Sequence, residues 1–323
     1  MTDLVTFGEA TMRLSPPRGG RLETTPSLDV RVSGPESNAA VGAARLGVDA
    51  AWLSKLPASA LGRRVVAALR SHGVRTGIAW TDAEAGRVGT VYEDRGAATH
   101  GTTAIDDRAG SAFTTVTPAD LPDGVVESTD RVHTTGATLG VSDRARETAL
   151  DLLEAAGEAD VRRSLALRHR DRLWDADRTA PADRVYREAF DHVETLFVSR
   201  SEARSVLSCE GDAVEIVHSL RTEFDLETVV LTRDGAETGA VAIDAGAVHE
   251  GPAYRVDSRD PSGTDDAFVA GFLTERIAGG SVPDALELGA ATAALTGTID
   301  GEAAIVSREA VDAVIADPSA LDR

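Results

Sequence analysis

Lysine is almost missing from this chain. Lys55 is the only one, and the other 32 of the 33 basic residues are arginine. Cysteine is just as scarce. Cys209 stands alone, which excludes an internal disulfide and a cysteine-rich metal site and suits a reducing cytoplasm. No run of 18 apolar residues occurs, so nothing is expected to span a membrane. The start, Met1-Thr2-Asp3-Leu4-Val5, enters a strand-like segment without the basic and apolar regions of a secretory signal. Long linkers and internal repeats are also lacking. The 323 residues therefore read as one domain with a large core.

What the chain has in excess is acid. Its net charge of −20 would repel a phosphate backbone, and no basic run is long enough to reverse that locally. The charge argues against nucleic acid as a partner. Acid excess, lysine scarcity and abundant Ala, Gly and Thr resemble the composition of proteins from salt-accumulating halophiles. In molar salt the Debye length shrinks to about 3 Å and surface repulsion is screened.

Apolar strand patterns alternate with helical ones along most of the chain. Residues 4–8, 51–54, 131–135, 164–167, 195–199 and 228–232 read as strands. Residues 38–46, ended by Gly47, and 64–71, ended by Gly73, read as helices, as do 144–156, 183–189 and 212–221. Such alternation predicts an α/β fold, a mostly parallel sheet covered by helices on both faces. Ligands in such folds sit at the carboxyl ends of the strands. Two segments, about 12–33 and 86–113, break the rhythm with short period-two patterns such as Val88, Thr90 and Tyr92. They predict antiparallel strands outside the main layer, forming a lid that keeps water from the chemistry.

The most informative stretch is Asp260-Pro261-Ser262-Gly263-Thr264-Asp265-Asp266-Ala267-Phe268. A loop of small residues ends in a carboxylate and runs into a helix-compatible segment, 267–277. A helix start offers unpaired N–H groups and a positive dipole end, which hold anions. A carboxylate beside it can take a proton from an alcohol attacking a phosphate. The same pattern also suits a plain surface loop with an Asp N-cap.

Four separated motifs carry a resemblance over nearly the whole chain. They are the opening Val5-Thr6-Phe7-Gly8-Glu9 with Met12-Arg13-Leu14-Ser15-Pro16-Pro17; Ser33-Gly34-Pro35-Glu36-Ser37-Asn38 with Ala40, Gly42, Ala44, Arg45, Leu46 and Gly47; Asp107-Arg108-Ala109-Gly110-Ser111-Ala112; and the stretch from Asp260. Their order and spacing resemble the ribokinase-like (PfkB) carbohydrate kinases, most nearly the 2-keto-3-deoxygluconate kinases.

The resemblance implies a three-layer α/β sandwich with a small β-sheet lid and an ATP-dependent, Mg²⁺-assisted transfer to a sugar or sugar acid. It makes Asp266 the catalytic base. The N–H groups of Gly263, Thr264 and Asp265 would face the transferred phosphate. Gly34 and Asn38 would hold sugar hydroxyls, and Arg108 a substrate carboxylate. Arg170 would lie near the phosphates and the acid end of the substrate. Glu202 would organise the metal through water, and Thr232 and Gly235 would belong to the nucleotide loop. Family lids often pair, so a homodimer through the lid is implied.

Several positions depart from the family pattern. Asp265 replaces a glycine, and a carboxylate about 5 Å from a phosphate would be repelled by about 3 kcal/mol at an effective dielectric of about 20. Ala166 and Arg168 replace the Asp and Asn of a family Asp-x-Asn-x-Arg segment, and Ser199 replaces an Asn of the metal motif. Asp106 and Val91 stand where tyrosines are usual, and the early acidic residue is Glu9 rather than aspartate. Three readings stay open: a 2-keto-3-deoxygluconate kinase, a kinase of another sugar or nucleoside, or a degenerate paralogue that binds without efficient turnover.

The charge pattern makes one direct prediction. Unscreened carboxylates repel each other in dilute buffer, so thermal stability rises steeply toward molar KCl. Melts across a KCl series check this, and a midpoint independent of salt removes the halophile reading.

Overall fold

The computed structural model describes residues 2–17, 20–95, 102–174, 181–233, 239–256 and 262–322. Its strands run in chain order as β1 (Thr2–Phe7), β2 (Thr11–Ser15), β3 (Asp29–Ser33), β4 (Ala50–Pro57), β5 (Arg75–Thr81), β6 (Thr90–Arg95), β7 (Thr102–Asp107), β8 (Thr129–Thr135), β9 (Arg162–Ala166), β10 (Thr195–Ser199), β11 (Thr228–Thr232), β12 (Ala240–Asp244) and β13 (Ala247–Glu250). The helices are α1 (Pro35–Arg45), α2 (Ala60–Arg70), α3 (Gly136–Val141), α4 (Asp143–Glu158), α5 (Ala182–Phe190), α6 (Arg200–Ser205), α7 (Ala213–Phe224), α8 (Thr264–Ile277), α9 (Val282–Gly297) and α10 (Arg308–Ala316).

Nine strands form one sheet in the order β13-β12-β11-β10-β9-β8-β1-β4-β5. The seven from β11 to β5 are parallel, and β12 and β13 close one edge antiparallel. Alternation along each strand divides the core in two. Leu4 and Trp52 face a layer built on α1, α2, α8, α9 and α10. Val5, Phe7 and Leu53 face the opposite layer, built on α3 to α7. Both faces of the sheet are thus covered, as the run of apolar strands requires.

The expected elements occur with shifted ends. The strands at 195–199 and 228–232 match residue for residue. The last-third helix starts at Thr264 rather than at 267, because Gly263, in the left-handed region at φ 79°, is its cap. Asp265 and Asp266 therefore lie inside the first turn, where negative charge meets the positive dipole end. Strands β5, β12 and β13 and helices α3, α6, α9 and α10 were not expected from sequence.

The four-stranded second sheet has the order β3-β2-β6-β7 and comes from the two segments that break the α/β rhythm. Its outer pairings are antiparallel, as expected, but β2 and β6 run parallel at its centre. Thr11, Arg13, Val91, Glu93 and Ala104 face a cavity beneath it. Leu14, Tyr92 and Ile105 lie in one cross-strand row on the reverse. Val88 precedes β6 and is only 5% exposed, packed in the core, so it supplies no outer face to the lid.

Helix α8 is held by close backbone approach to α9. A Cβ on Gly271 would come 2.8 Å from the Leu288 carbonyl oxygen and 2.9 Å from Gly289 Cα, and one on Gly289 would come 2.9 Å from the Phe268 carbonyl. Overpacking of this kind costs about 1–3 kcal/mol. Gly271→Val is therefore expected to lower the thermal midpoint clearly as α8 shifts. An unchanged midpoint would show that the two helices have room to part.

Candidate active site

A cavity of about 330 Å³ opens beyond the carboxyl ends of β1, β8 and β9, where Glu9, Ala137 and Arg168 follow the strands. The lid roofs it, the start of α1 forms one wall and the start of α8 another. Of the residues singled out from sequence, Gly34, Asn38, Arg108, Arg170, Gly263, Asp265 and Asp266 all line it. Thr264 opens α8 beside them. Glu202 and Thr232 do not line it, and Gly235 lies outside the described residues.

Asp266 is 4% exposed, and both of its oxygens are held. Asn38 Nδ2 donates to Oδ2 at 2.9 Å, and Arg168 Nη2 lies 2.9 Å from Oδ1. Burial raises its pKa, opposed by Arg168 and by the Asn38 hydrogen bond. Asn38 reaches this position because α1 begins at Pro35, after an extended Gly34. Gly34 is not a left-handed turn. Its glycine is required because a Cβ would overlap the Glu9 carbonyl. Gly263 is constrained twice, by its positive φ and by the Glu302 carbonyl against its Cα.

Asp265 does not stand unmatched in the first turn of α8. Its carboxylate pairs with Arg168 Nη1. Burial works against the charge on Arg168, but Asp266 and Asp265 outweigh it and raise its pKa. The other departures are accounted for as well. Asp106 links two arginines, 3.0 Å from Arg108 Nε and 2.5 Å from Arg172 Nε. Ser199 caps α6, sharing a capping box with Glu202. Ala166, 3% exposed, fills core at the end of β9.

Glu9 is buried and committed to the lid. Its Oε1 accepts from Ser111 Oγ at 2.7 Å, and its Oε2 lies 3.1 Å from Arg108 Nη1. Arg108 is thus forked between Glu9 and Asp106. Glu202 accepts from the His169 N–H at 2.7 Å on Oε1 and from the Ser199 N–H and hydroxyl on Oε2. It braces the segment that carries Arg168 and Arg170. Thr232 ends β11 opposite Ser199 and lines a separate cavity with Arg200, Arg204 and Arg233.

Four site residues had no sequence signal strong enough to single them out. Arg13, 3% exposed, pairs with Glu93 at 3.0 Å and with Glu302. Glu302 also accepts from Ser33 Oγ, tying the lid to the loop against Gly263. Arg172 donates to the Ala104 carbonyl at 2.9 Å. Glu36 is fully buried, and burial pushes its carboxyl up to about 7. Its Oε1 accepts from the Thr135 N–H at 3.1 Å and from the Thr135 and Thr138 hydroxyls at 2.6 Å each. A Cβ on Gly8 would overlap that carboxyl group. Glu36 therefore pins the starts of α1 and α3 to the end of β1. Its place in the Ser33 to Asn38 motif was its one visible sign.

Residues 1–305 match the family model described as pfkB family carbohydrate kinase. The chain belongs to the pfkB carbohydrate kinase family. Across 315 residues it is 44% identical to the 2-dehydro-3-deoxygalactonokinase of Haloferax volcanii, covering 97% of this chain and 96% of that one. The 2-dehydro-3-deoxygluconokinase of Thermoproteus tenax is 29% identical over 303 residues, 94% of this chain and 90% of that one. A crystal structure of the 2-dehydro-3-deoxygluconokinase of Thermotoga maritima superposes with a TM-score of 0.90 at 26% identity, covering 98% of each chain. This pfkB kinase thus has the ribokinase-like α/β fold.

For a pfkB kinase with this geometry, Asp266 is the group to test first. Asp266→Asn keeps the shape but cannot accept a proton, so phosphoryl transfer is expected to be lost while nucleotide binding by calorimetry persists. Turnover within about tenfold of the parent, a barrier change of only about 1.4 kcal/mol, would remove Asp266 from the role of base.

Proposed function

We propose that this pfkB kinase phosphorylates a 2-keto-3-deoxy aldonic acid, 2-keto-3-deoxygluconate or its C4 epimer, with ATP as donor. The observation that carries the reading is the state of Arg170. Five arginines line the cavity: Arg13, Arg108, Arg168, Arg170 and Arg172. Four are paired with carboxylates. Among the described residues the Arg170 side chain makes no hydrogen bond or ion pair, and Arg170 lines the cavity. Neighbouring Arg168 lowers its pKa, so an anion there relieves like-charge repulsion. A substrate carboxylate suits a planar fork of donors. The three sugar-acid kinases to which the chain is similar support the same class.

In this reading the sugar lies against Gly34 and Asn38 with its acid end toward Arg170 and Arg108. Asp266 accepts the proton of the attacking hydroxyl at its Oδ1 or Oδ2 edge. The N–H groups of Gly263, Thr264 and Asp265 meet the transferred phosphate, where charge develops and fixed donors stabilise it. The lid excludes water.

Among the described residues no three His, Cys, Asp or Glu side chains converge on a metal position. A magnesium ion arriving with the nucleotide suits such a site, since it is held largely by phosphates and water. Glu202, with three donors on about four lone-pair positions, keeps one acceptor position for a metal-bound water. When bound, that ion would neutralise charge on the phosphates.

The nucleotide is expected over Thr232 and the segment containing Gly235. Among the described residues no helix is long and apolar enough to cross a membrane, which fits a cytoplasmic enzyme. The row of Leu14, Tyr92 and Ile105 offers the outer lid face for a homodimer.

A coupled assay in molar KCl with 2-keto-3-deoxygluconate, its C4 epimer, fructose and ribose checks the reading. The two acids are expected to be preferred, and Arg170→Gln to raise KM for them by about tenfold or more, the worth of a charge-assisted hydrogen bond. Equal or faster turnover of fructose or ribose would overturn it.

A further inference from the structure

Arg168 and Asp265 each depart from the family pattern, lie 97 residues apart in sequence, and touch. Arg168 follows β9 at φ 43°, a left-handed conformation that residues with a Cβ rarely adopt. That turn brings a mostly buried guanidinium across the first turn of α8. One arm reaches Asp265, and the other reaches Asp266 Oδ1 at 2.9 Å. Asn38 holds the opposite oxygen of Asp266 at 2.9 Å.

We propose that Arg168 and Asp265 are a matched pair, in which Arg168 is a positioning residue that fixes the Asp266 carboxylate in its ionised form and Asp265 keeps that guanidinium from closing on the base. This rests on Asp266 being the base. Adjacent residues of a helix point about 100° apart, so one fork bridging both carboxylates fixes the rotation of each. The arrangement shares a single positive charge between two negative ones. Without Asp265, both arms of Arg168 turn to Asp266 and compete with the proton it must accept. Without Arg168, Asp265 is left as an unmatched charge beside the incoming phosphate, and Asp266 is held on one side only. Removing both returns the pair to the neutral Asn and Gly of the family pattern, with no charge left over.

The charged groups facing Asp266 are Arg168 and Arg170 from the segment after β9, Glu36 from α1, Glu302 from the loop after α9 and Asp265 on its own helix. Of the two cations, only Arg168 touches it. Its loss is therefore expected to shift the acid limb of kcat/KM upward by about one pH unit or more.

The test is a double-mutant cycle in molar KCl, with melts to confirm folding and calorimetry to confirm nucleotide binding. Arg168→Asn and Asp265→Gly are each expected to lower kcat about tenfold or more, and the double variant to recover to within about threefold of the parent. Asp265→Asn, which keeps the backbone freedom of the parent, should behave as Asp265→Gly does. Additive losses, or an acid limb unmoved in Arg168→Asn, overturn the pairing. An active Asp266→Asn enzyme would instead overturn the base itself, so the two failures are distinguishable.

Discussion

Apart from Arg170, the charges that line the cavity are held with their partners. Taking one arginine or carboxylate out of water is costly unless its opposite comes with it. This site groups them: Arg13 with Glu93 and Glu302, Arg108 with Glu9 and Asp106, Arg168 with the buried Asp266 and the half-exposed Asp265. The geometry of each group sets the next. Glu9 fixes Arg108, Asp106 joins Arg108 to Arg172, and Glu202 braces the segment bearing Arg168. Arginine is suited to such linkages because its planar fork serves two acceptors at once, which a lysine ammonium does less specifically. The almost complete replacement of lysine in this chain is consistent with that use inside, whatever it does at the surface.

Much of the α/β framework was legible from apolar runs. Strands β10 and β11 are continuous hydrophobic stretches, buried on both faces, and they begin and end where the pattern does. Helix α9 escaped notice for the opposite reason. Twelve of its 16 residues are buried, so it has no polar stripe and no helical periodicity to read. Strand β5 is an edge strand of mostly half-exposed residues, and the β12–β13 hairpin is short, so neither has a strong pattern. The parallel centre of the lid sheet was hidden because pairing direction depends on topology, not on local alternation.

The site was legible wherever the chemistry is local. The run from Gly263 to Asp266 shows the proposed anion loop and its carboxylate in sequence, and seven of the expected residues meet in one cavity. What sequence could not show is how charges from distant segments cancel. Asp265 read as an electrostatic liability because its partner is 97 residues away, and Glu302 was silent because Arg13 is 289 residues away. Glu36 was visible only as an acid in a signature motif. Its three hydroxyl and amide donors come from the end of β8 and the start of α3, about a hundred positions on.

The double attachment of Glu302 links two parts of the site that are otherwise separate. Its backbone carbonyl rests against Gly263, while its side chain holds Arg13 and Ser33 of the lid. A lid that shifts must pull on the strap that presses the anion loop. In the proposed reaction the two halves, sugar under the lid and phosphate at the loop, would thus share one mechanical element. By thermodynamic reciprocity, whatever free energy the first ligand spends on that strap is returned to the second, in either order of arrival.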